Sequence, residues 1–301
     1  MPEAEHYVLS HAQKRLWLSD QKEANLSIYN IHGAVMLEGN LDILAFNEAI
    51  KTVVNRHESL RTTFIVVDGE PMQKICQDIG FKLDILDLSE MADTESIVKE
   101  HIKKEGDTPF DLAKGPLIRA KLLKNEENRY SLIIGIHHII SDGWSLEILM
   151  KEIFCIYDKY TEGKKEEFLP KLKIQYKDYA AWHNELLTDA DKLKKYWHNV
   201  LSGTLPVLNT FSDYPRPAVK TYNADVVVFD INKDLTIGLN KLGKDNNASL
   251  FMVLLALSKA LFHRYTAQED IIVGTALAGR KPATSLSTSR GRKAMELSAS
   301  E

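Results

Sequence analysis

Two adjacent histidines end an apolar run in the stretch Ile133-Ile-Gly-Ile-His-His-Ile-Ile-Ser-Asp-Gly-Trp-Ser145. Asp142 stands four residues after the second histidine, Gly143 follows it, and a helix-like pattern begins at Leu146. The stretch reads as a strand that stops, a tight turn and a helix that starts. Imidazole titrates near neutrality, so either histidine could take a proton from an amine or hydroxyl and return it. Successive strand residues face opposite sides, so His137 and His138 do not share one cleft if the strand runs through both. One is then structural and the other available. Asp142 can anchor the turn by pairing with a cation, and Gly143 lets the backbone turn sharply or approach a substrate closely. For a single histidine the plainer reading is a buried strand residue satisfied by hydrogen bonds; for the whole string a site is favoured. The pair lacks a third ligand at sensible spacing, so no metal is expected.

Composition narrows the classes. The chain has 301 residues, 44% hydrophobic and 27% charged, enough for one large or two medium cores. A net charge of −4 favours neither nucleic acid nor an anionic membrane. Cys76 and Cys155 lie far apart without metal spacing, which fits a reduced, cytoplasmic protein with both thiols buried. The start, Met1-Pro-Glu-Ala-Glu, is acidic and polar, unlike a signal peptide. No apolar run reaches spanning length, and Phe251 to Leu261 reads as a core helix.

The elements that must position the turn follow in order. Ser10 can cap a helix on which Ala12, Leu16 and Trp17 share a face. Tyr29 to Leu37 alternates like a strand, and Leu41 to Asn55 has helical spacing with Asp42 in its first turn. A charged helix end, Arg56-His-Glu, leads to a strand over Thr62 to Val67, with Arg61 at its start; alone, Arg61 reads as a solvated charge. Asp68-Gly69 predicts a hairpin to Met72–Ile75. Phe81 to Leu88 is a further strand and Glu90 to Glu105 a charged helix. Leu117–Leu123 and Tyr130–Ile136 form a strand pair across Lys124 to Asn128, and the second delivers the histidines. Leu146 to Tyr160 is helical, with Ile148, Leu149, Ile153, Ile156 and Tyr157 as its buried stripe. A polar linker, Tyr160 to Glu167, follows.

Beyond it, Tyr176 to Trp182 and Leu193 to Ser202 read as helices, the latter ended by Pro206. Tyr214-Pro-Arg-Pro217 is a rigid loop. Asp225–Ile231 is a strand, Leu235–Asn246 and Ser249–Tyr265 are helices, and Asp270–Thr275 is a buried strand running into Ala276-Leu-Ala-Gly-Arg280. Residues 281–301 are Ser-rich without apolar periodicity and read as a disordered or vector-derived tail.

The string HHIISDG resembles the HHxxxDG motif of condensation domains from nonribosomal peptide synthetases. Ser10 to Trp17 is similar to that family's SxAQxRLW motif, and Arg56 to Phe64 to its RHExxLRTTF motif. Phe110 to Arg119 looks like FDLxxGPLxR, Tyr176 to Trp182 like YxDYAxW, and Val273 to Arg280 like VGTPVAGR. The resemblance covers residues 7 to 280 and stops before the fifth motif, with its IGxFVNTxxLR core.

The resemblance implies an α/β fold, an α+β two-layer sandwich of the chloramphenicol-acetyltransferase type. A complete N-terminal lobe (1–168) would be followed by a truncated C-terminal lobe (169–280). It implies amide bond formation between a donor acyl or aminoacyl thioester and an acceptor amine, both carried on phosphopantetheine arms. His138 would accept the amine's proton, or orient the amine and stabilise the charged intermediate. His137 and Asp142 would support the turn, Gly143 would lie near substrate, and Arg61 would pair with Asp142. No cofactor is bound directly; the partners are donor and acceptor carrier domains and an adjacent adenylation domain. Epimerisation and heterocyclisation domains are disfavoured by Gly-Trp-Ser after the aspartate and by the two histidines. A truncated lobe exposes strand edges and apolar surface, so pairing of copies into a homodimer is expected. The alternatives are a free-standing acyltransferase using coenzyme A and a non-catalytic carrier-docking module.

Overall fold

The computed structural model describes residues 2–22, 27–164, 169–188, 190–215, 217–219, 221 and 226–276. The chain divides into two compact units, Met1–Lys192 and Leu193–Glu301.

The first unit runs β1 (Tyr7–Val8), α1 (His11–Lys22), β2 (Asn30–Glu38), α2 (Ile43–Arg56), β3 (Thr62–Val67), β4 (Glu70–Ile75), β5 (Leu83–Asp87), α3 (Thr94–Asp107), β6 (Ile118–Glu126), β7 (Arg129–His137), α4 (Gly143–Thr161) and α5 (Tyr176–Leu187). Local chemistry explains most of these boundaries. Asp42 accepts from the Ala45 amide at 3.0 Å and Asp93 from the Ser96 amide at 3.2 Å, so short acidic side chains start α2 and α3. Asp68 and Gly69 both have positive φ, 51° and 82°, as a two-residue hairpin turn of the primed type requires. The strands they join, β3 and β4, pair antiparallel from Thr62↔Ile75 to Val67↔Glu70, and β1 adds to β4.

The other sheet has the order β2-β7-β6-β5, antiparallel except for the parallel β5–β6 pair, which α3 connects. β7 is central and pairs along its whole length with β2, from Asn30↔His137 to Glu38↔Arg129. Its alternation feeds two clusters. Leu132 and Ile136 join Phe46, Ile50 and Val53 of α2 and Leu149, Ile153 and Ile156 of α4 in the main core. Ile133 packs instead with Leu88, Leu123 and the α3 residues Ile97, Val98 and Ile102. Each such fully buried aliphatic contributes about 1.5–3 kcal/mol of transfer free energy. Gly135 lies on the α3 side, where a Cβ would stand 2.2 Å from the Glu105 carboxylate, so the helix can approach β7 only over a glycine.

Several expectations change. Ala12 is exposed and Gln13 is the buried residue of α1, because polar groups rather than an apolar stripe fix this helix. Ile148 is 38% exposed, since Leu149, Ile153 and Ile156 already fill the α2-facing side of α4. Cys155 is exposed and Cys76 half-buried, so the thiols are not both core residues. Apart from these changes, α5 packs within the unit Met1–Lys192. The Tyr176 hydroxyl meets Ser10 Oγ at 3.0 Å, and Lys177 pairs with Glu58 at 2.9 Å.

The second unit contains most of α6 (Asp191–Val200), then α7 (Lys233–Asp245) and α8 (Leu250–Thr266). Asn232 caps α7 through the Leu235 amide, and Ser249 caps α8 through the Met252 amide. The strand expected over Asp225–Ile231 is absent among its described residues, and Val227, Val228 and Phe229 are exposed. The strand expected over Asp270–Thr275 is likewise unformed apart from a bridge at Thr275. Both segments have β-rich composition, but a strand needs a neighbour to receive its ladder, and β-propensity alone does not supply one. For the same reason α8 is not a core helix here: Phe251, Met252, Leu257 and Leu261 are exposed and only Val253 is buried. The Ala-Gly-Arg stretch ending at Arg280, beyond Ala276, and the tail 281–301 lie outside the described residues. Among the described residues no single helix is long and apolar enough to cross a membrane.

Candidate active site

β7 ends at His137, and the chain turns through His138–Ser141 before Asp142 opens α4. This turn is held by its backbone. His138 N–H donates to the Tyr29 carbonyl at 2.8 Å, Ile140 N–H to the His137 carbonyl at 3.1 Å, and His137 N–H to the Leu117 carbonyl at 3.0 Å. Ile139 N–H donates to His137 Nδ1 at 3.1 Å. That bond requires a lone pair on Nδ1, so neutral His137 carries its proton on Nε2.

His137 is 1% exposed, edge-on to the Tyr29 and Phe110 rings at centroid distances of 6.2 and 6.1 Å. Arg119 lies over the Phe110 ring, 3.6 Å from its centroid, and pairs with Glu105. Burial pushes the His137 pKa down to about 4, with a smaller contribution from the charge of His138. His137 is therefore neutral at neutral pH and serves the turn as an acceptor. His138 is exposed, and among the described residues its imidazole has no hydrogen-bond partner. The two histidines therefore point apart: His137 faces the α3 side of the sheet, and His138 leaves past the strand end.

Asp142 is the N-cap of α4. Its Oδ1 accepts from the Ser145 amide at 2.8 Å and the Ser145 hydroxyl at 2.6 Å. The expected Arg61–Asp142 pair is not formed. Arg61 donates instead to the Asn55 carbonyl at 3.2 Å and to the Cys76 carbonyl. The reason is positional: Arg61 ends a 3-10 turn, Glu58–Arg61, beside the C-terminus of β4, where carbonyls need donors. Gly143 is exposed, has no left-handed φ, and a Cβ built there would meet nothing within 4 Å. The turn itself does not demand glycine, and the backbone there is open. Trp144, 65% exposed, stands next to it.

The Arg56-His57-Glu58 motif is a set of ties. Arg56 Nε reaches both oxygens of Glu152 on α4 at 3.3 and 3.2 Å, and His57 Nε2 meets Glu152 Oε2 at 2.7 Å. Arg56 also donates to the Pro170 carbonyl at 2.7 Å, and Glu58 pairs with Lys177 on α5. These residues fix α4 against the end of α2 and do not touch the histidine turn.

Sequence reasoning missed Gln13. Ser10 and Gln13 form a reciprocal capping box, Gln13 N–H to Ser10 Oγ at 3.2 Å and Ser10 N–H to Gln13 Oε1 at 3.0 Å. The Ser-x-x-Gln spacing signals such a box. The same side chain then reaches β4 and the turn: Gln13 Nε2 donates to Gln73 Oε1 at 3.2 Å and to the Ile139 carbonyl at 3.4 Å. No group of three metal-ligating side chains gathers among the described residues.

The site can present one exposed imidazole, beside an unobstructed glycine backbone, on a pinned turn. Comparison with known proteins identifies the family. The family model described as "Condensation domain" matches residues 3–291. The chain is 42% identical over 281 residues to tyrocidine synthase 3 of Brevibacillus parabrevis, covering 93% of this chain and 4% of that protein. It is 41% identical over 277 residues to surfactin synthase subunit 1 of Bacillus subtilis, covering 92% of this chain and 7% of the relative. The chain thus spans a small fraction of the curated relatives it matches. Among solved structures, a four-domain nonribosomal peptide synthetase bound to AMP and glycine superposes with TM-score 0.78 at 23% identity, over 93% of this chain and 21% of that one. The first condensation domain of the calcium-dependent antibiotic synthetase, with a substrate analogue, gives 0.75 at 21% identity, over 94% and 66%.

Proposed function

Because the chain belongs to the condensation-domain family, we propose that it forms an amide bond within a nonribosomal peptide synthetase. The donor is an acyl or aminoacyl thioester and the acceptor an aminoacyl amine, each on the phosphopantetheine arm of a carrier domain. The acceptor nitrogen attacks the thioester carbonyl, the C–N bond forms and the C–S bond breaks. The proton lost by the amine ends on the departing sulfur. His138 takes that proton in transit, or orients the amine and stabilises the charged intermediate. Proton transfer of this kind contributes about 10²–10⁴ in rate, and fixing two tethered reactants supplies as much or more. His137 holds the turn, Asp142 starts α4, and Gly143 leaves room for an arm. The domain needs no cofactor of its own and works beside an adenylation domain in the cytoplasm.

One observation carries this reading: among the described residues no side chain holds the exposed His138 imidazole, while the backbone beneath it is hydrogen-bonded to Tyr29, His137 and Gln13. An exposed imidazole on a held backbone supports a role towards a ligand.

Intact-mass detection of transfer between two loaded carrier domains tests it. The samples are this chain, a version extended to the length of its solved relatives, and the extended His138→Ala protein. Product from the extended protein and none from the variant supports the reading. An equally active variant removes His138 from the mechanism. Carrier binding without transfer in the extended protein replaces the enzyme with a docking module.

A further inference from the structure

We propose that Gln13, seated on the Gln73 amide, is a positioning residue that sets the His138 turn; the inference rests on the role given to His138 above. Nothing among the described side chains holds the His138 imidazole, so its position is inherited from the backbone around it. Three backbone groups there are claimed. The Tyr29 carbonyl takes His138 N–H, His137 Nδ1 takes Ile139 N–H, and Gln13 Nε2 donates to the Ile139 carbonyl. The first comes from the residue before β2 and the second from β7 itself. Gln13 provides the third from α1, 126 residues away in sequence.

Gln13 is itself fixed. It is 2% exposed and Gln73 is 1% exposed. Its Oε1 accepts from Ser10 N–H, and its amide group donates at 3.2 Å to Gln73 Oε1. Gln73 Nε2 in turn donates to the Val8 carbonyl at 2.8 Å. Two buried amides are costly unless their polar atoms are paired, and a pair of apolar side chains would fill the same space without that demand. A carboxamide offers what an apolar side chain cannot: two donors in one plane, one locked on β4 and the other aimed at the turn. The contact to Ile139 is the longest of the set at 3.4 Å, so the geometry restrains the turn from one side. A displacement of the catalytic group by about 1 Å can cost as much as 10²-fold in rate.

The test uses the domain extended to the length of its solved relatives, with steady-state transfer between loaded carriers. Gln13→Met keeps the volume and removes both donors. It should lower kcat about 10- to 100-fold with the KM for each loaded carrier unchanged, and shift the His138 imidazole cross-peak in a histidine-labelled NMR spectrum. Asp42→Ala, which removes the remote α2 cap, should destabilise the protein and change neither reading. A kcat for Gln13→Met within about twofold of the parent, or a loss matched by Asp42→Ala, overturns the proposal. Should Gln13→Met not fold, Gln73→Met is judged by the same criteria. His138→Ala separates the two claims. An inactive His138→Ala beside a fully active Gln13→Met rejects the Gln13 inference alone, whereas an active His138→Ala rejects the reading beneath it.

Discussion

Asp142 and Ser145 close the first turn of α4 between them, the carboxylate accepting the amide at 2.8 Å and the hydroxyl at 2.6 Å. That bond pair, rather than the Arg61 guanidinium, orients Asp142 towards the helix it starts. Asp142→Ala should therefore cost about 0.5–2 kcal/mol of stability, and Asp142→Asn much less, because an amide oxygen also caps. Arg61→Ala should cost about 1–3 kcal/mol through the Asn55 and Cys76 carbonyls it leaves unpaired. The two losses should add to within about 0.5 kcal/mol in a double-mutant cycle by urea denaturation. A coupling well above that would restore a direct Arg61–Asp142 interaction.

His137 makes the first unit acid-sensitive. Its folded pKa, about 4, lies below the ordinary histidine value of 6.5. Between these values the unfolded chain binds a proton that the folded chain refuses. Stability is thus fully present above pH 6.5 and falls as pH drops towards 4, by up to about 1.4 kcal/mol per pH unit. His101 and His183, lowered chiefly by burial, act in the same direction. His137→Asn offers its side-chain oxygen to Ile139 N–H without the titration. The parent should lose stability relative to the variant as pH falls from 6.5 to 4; parallel curves would place the acid sensitivity elsewhere.

Gly143→Ala separates stability from function. Nothing lies within 4 Å of the added methyl. At the first helical position alanine is favoured over glycine by roughly 0.5–1 kcal/mol, so the melting temperature should rise slightly. Transfer activity in the extended domain should fall, since the methyl occupies space left for a substrate arm. A variant both more stable and fully active would show that the open backbone there is unused.

Glu152 meets Arg56 Nε and His57 Nε2 at the junction of α2 and α4. Glu152→Ala leaves both half-buried without their carboxylate. The expected loss is about 1–3 kcal/mol in the denaturation midpoint, below the range for fully buried pairs because the site is partly solvated. The His138 NMR signal should stay in place, because none of the three residues touches the turn. Movement of that signal would link the Arg-His-Glu motif to the site directly.

Local features of the sequence translated directly into structure. Asp42, Asn232 and Ser249 start their helices, Asp68-Gly69 makes its hairpin, and alternation along β7 sends His137 inward and leaves His138 free. Each depends only on a few neighbouring residues, whose preferences are set by sterics and short hydrogen bonds. The tertiary structure decided the rest. Arg61 found carbonyls rather than Asp142, because only packing shows which acceptors a long side chain can reach. Gln13 became buried because Gln73 and Ile139, far away in sequence, satisfy its amide. The β-rich residues Val227–Phe229 form no assigned strand among the described residues, and α8 stayed exposed, because a ladder or an apolar face is completed only by a partner in space.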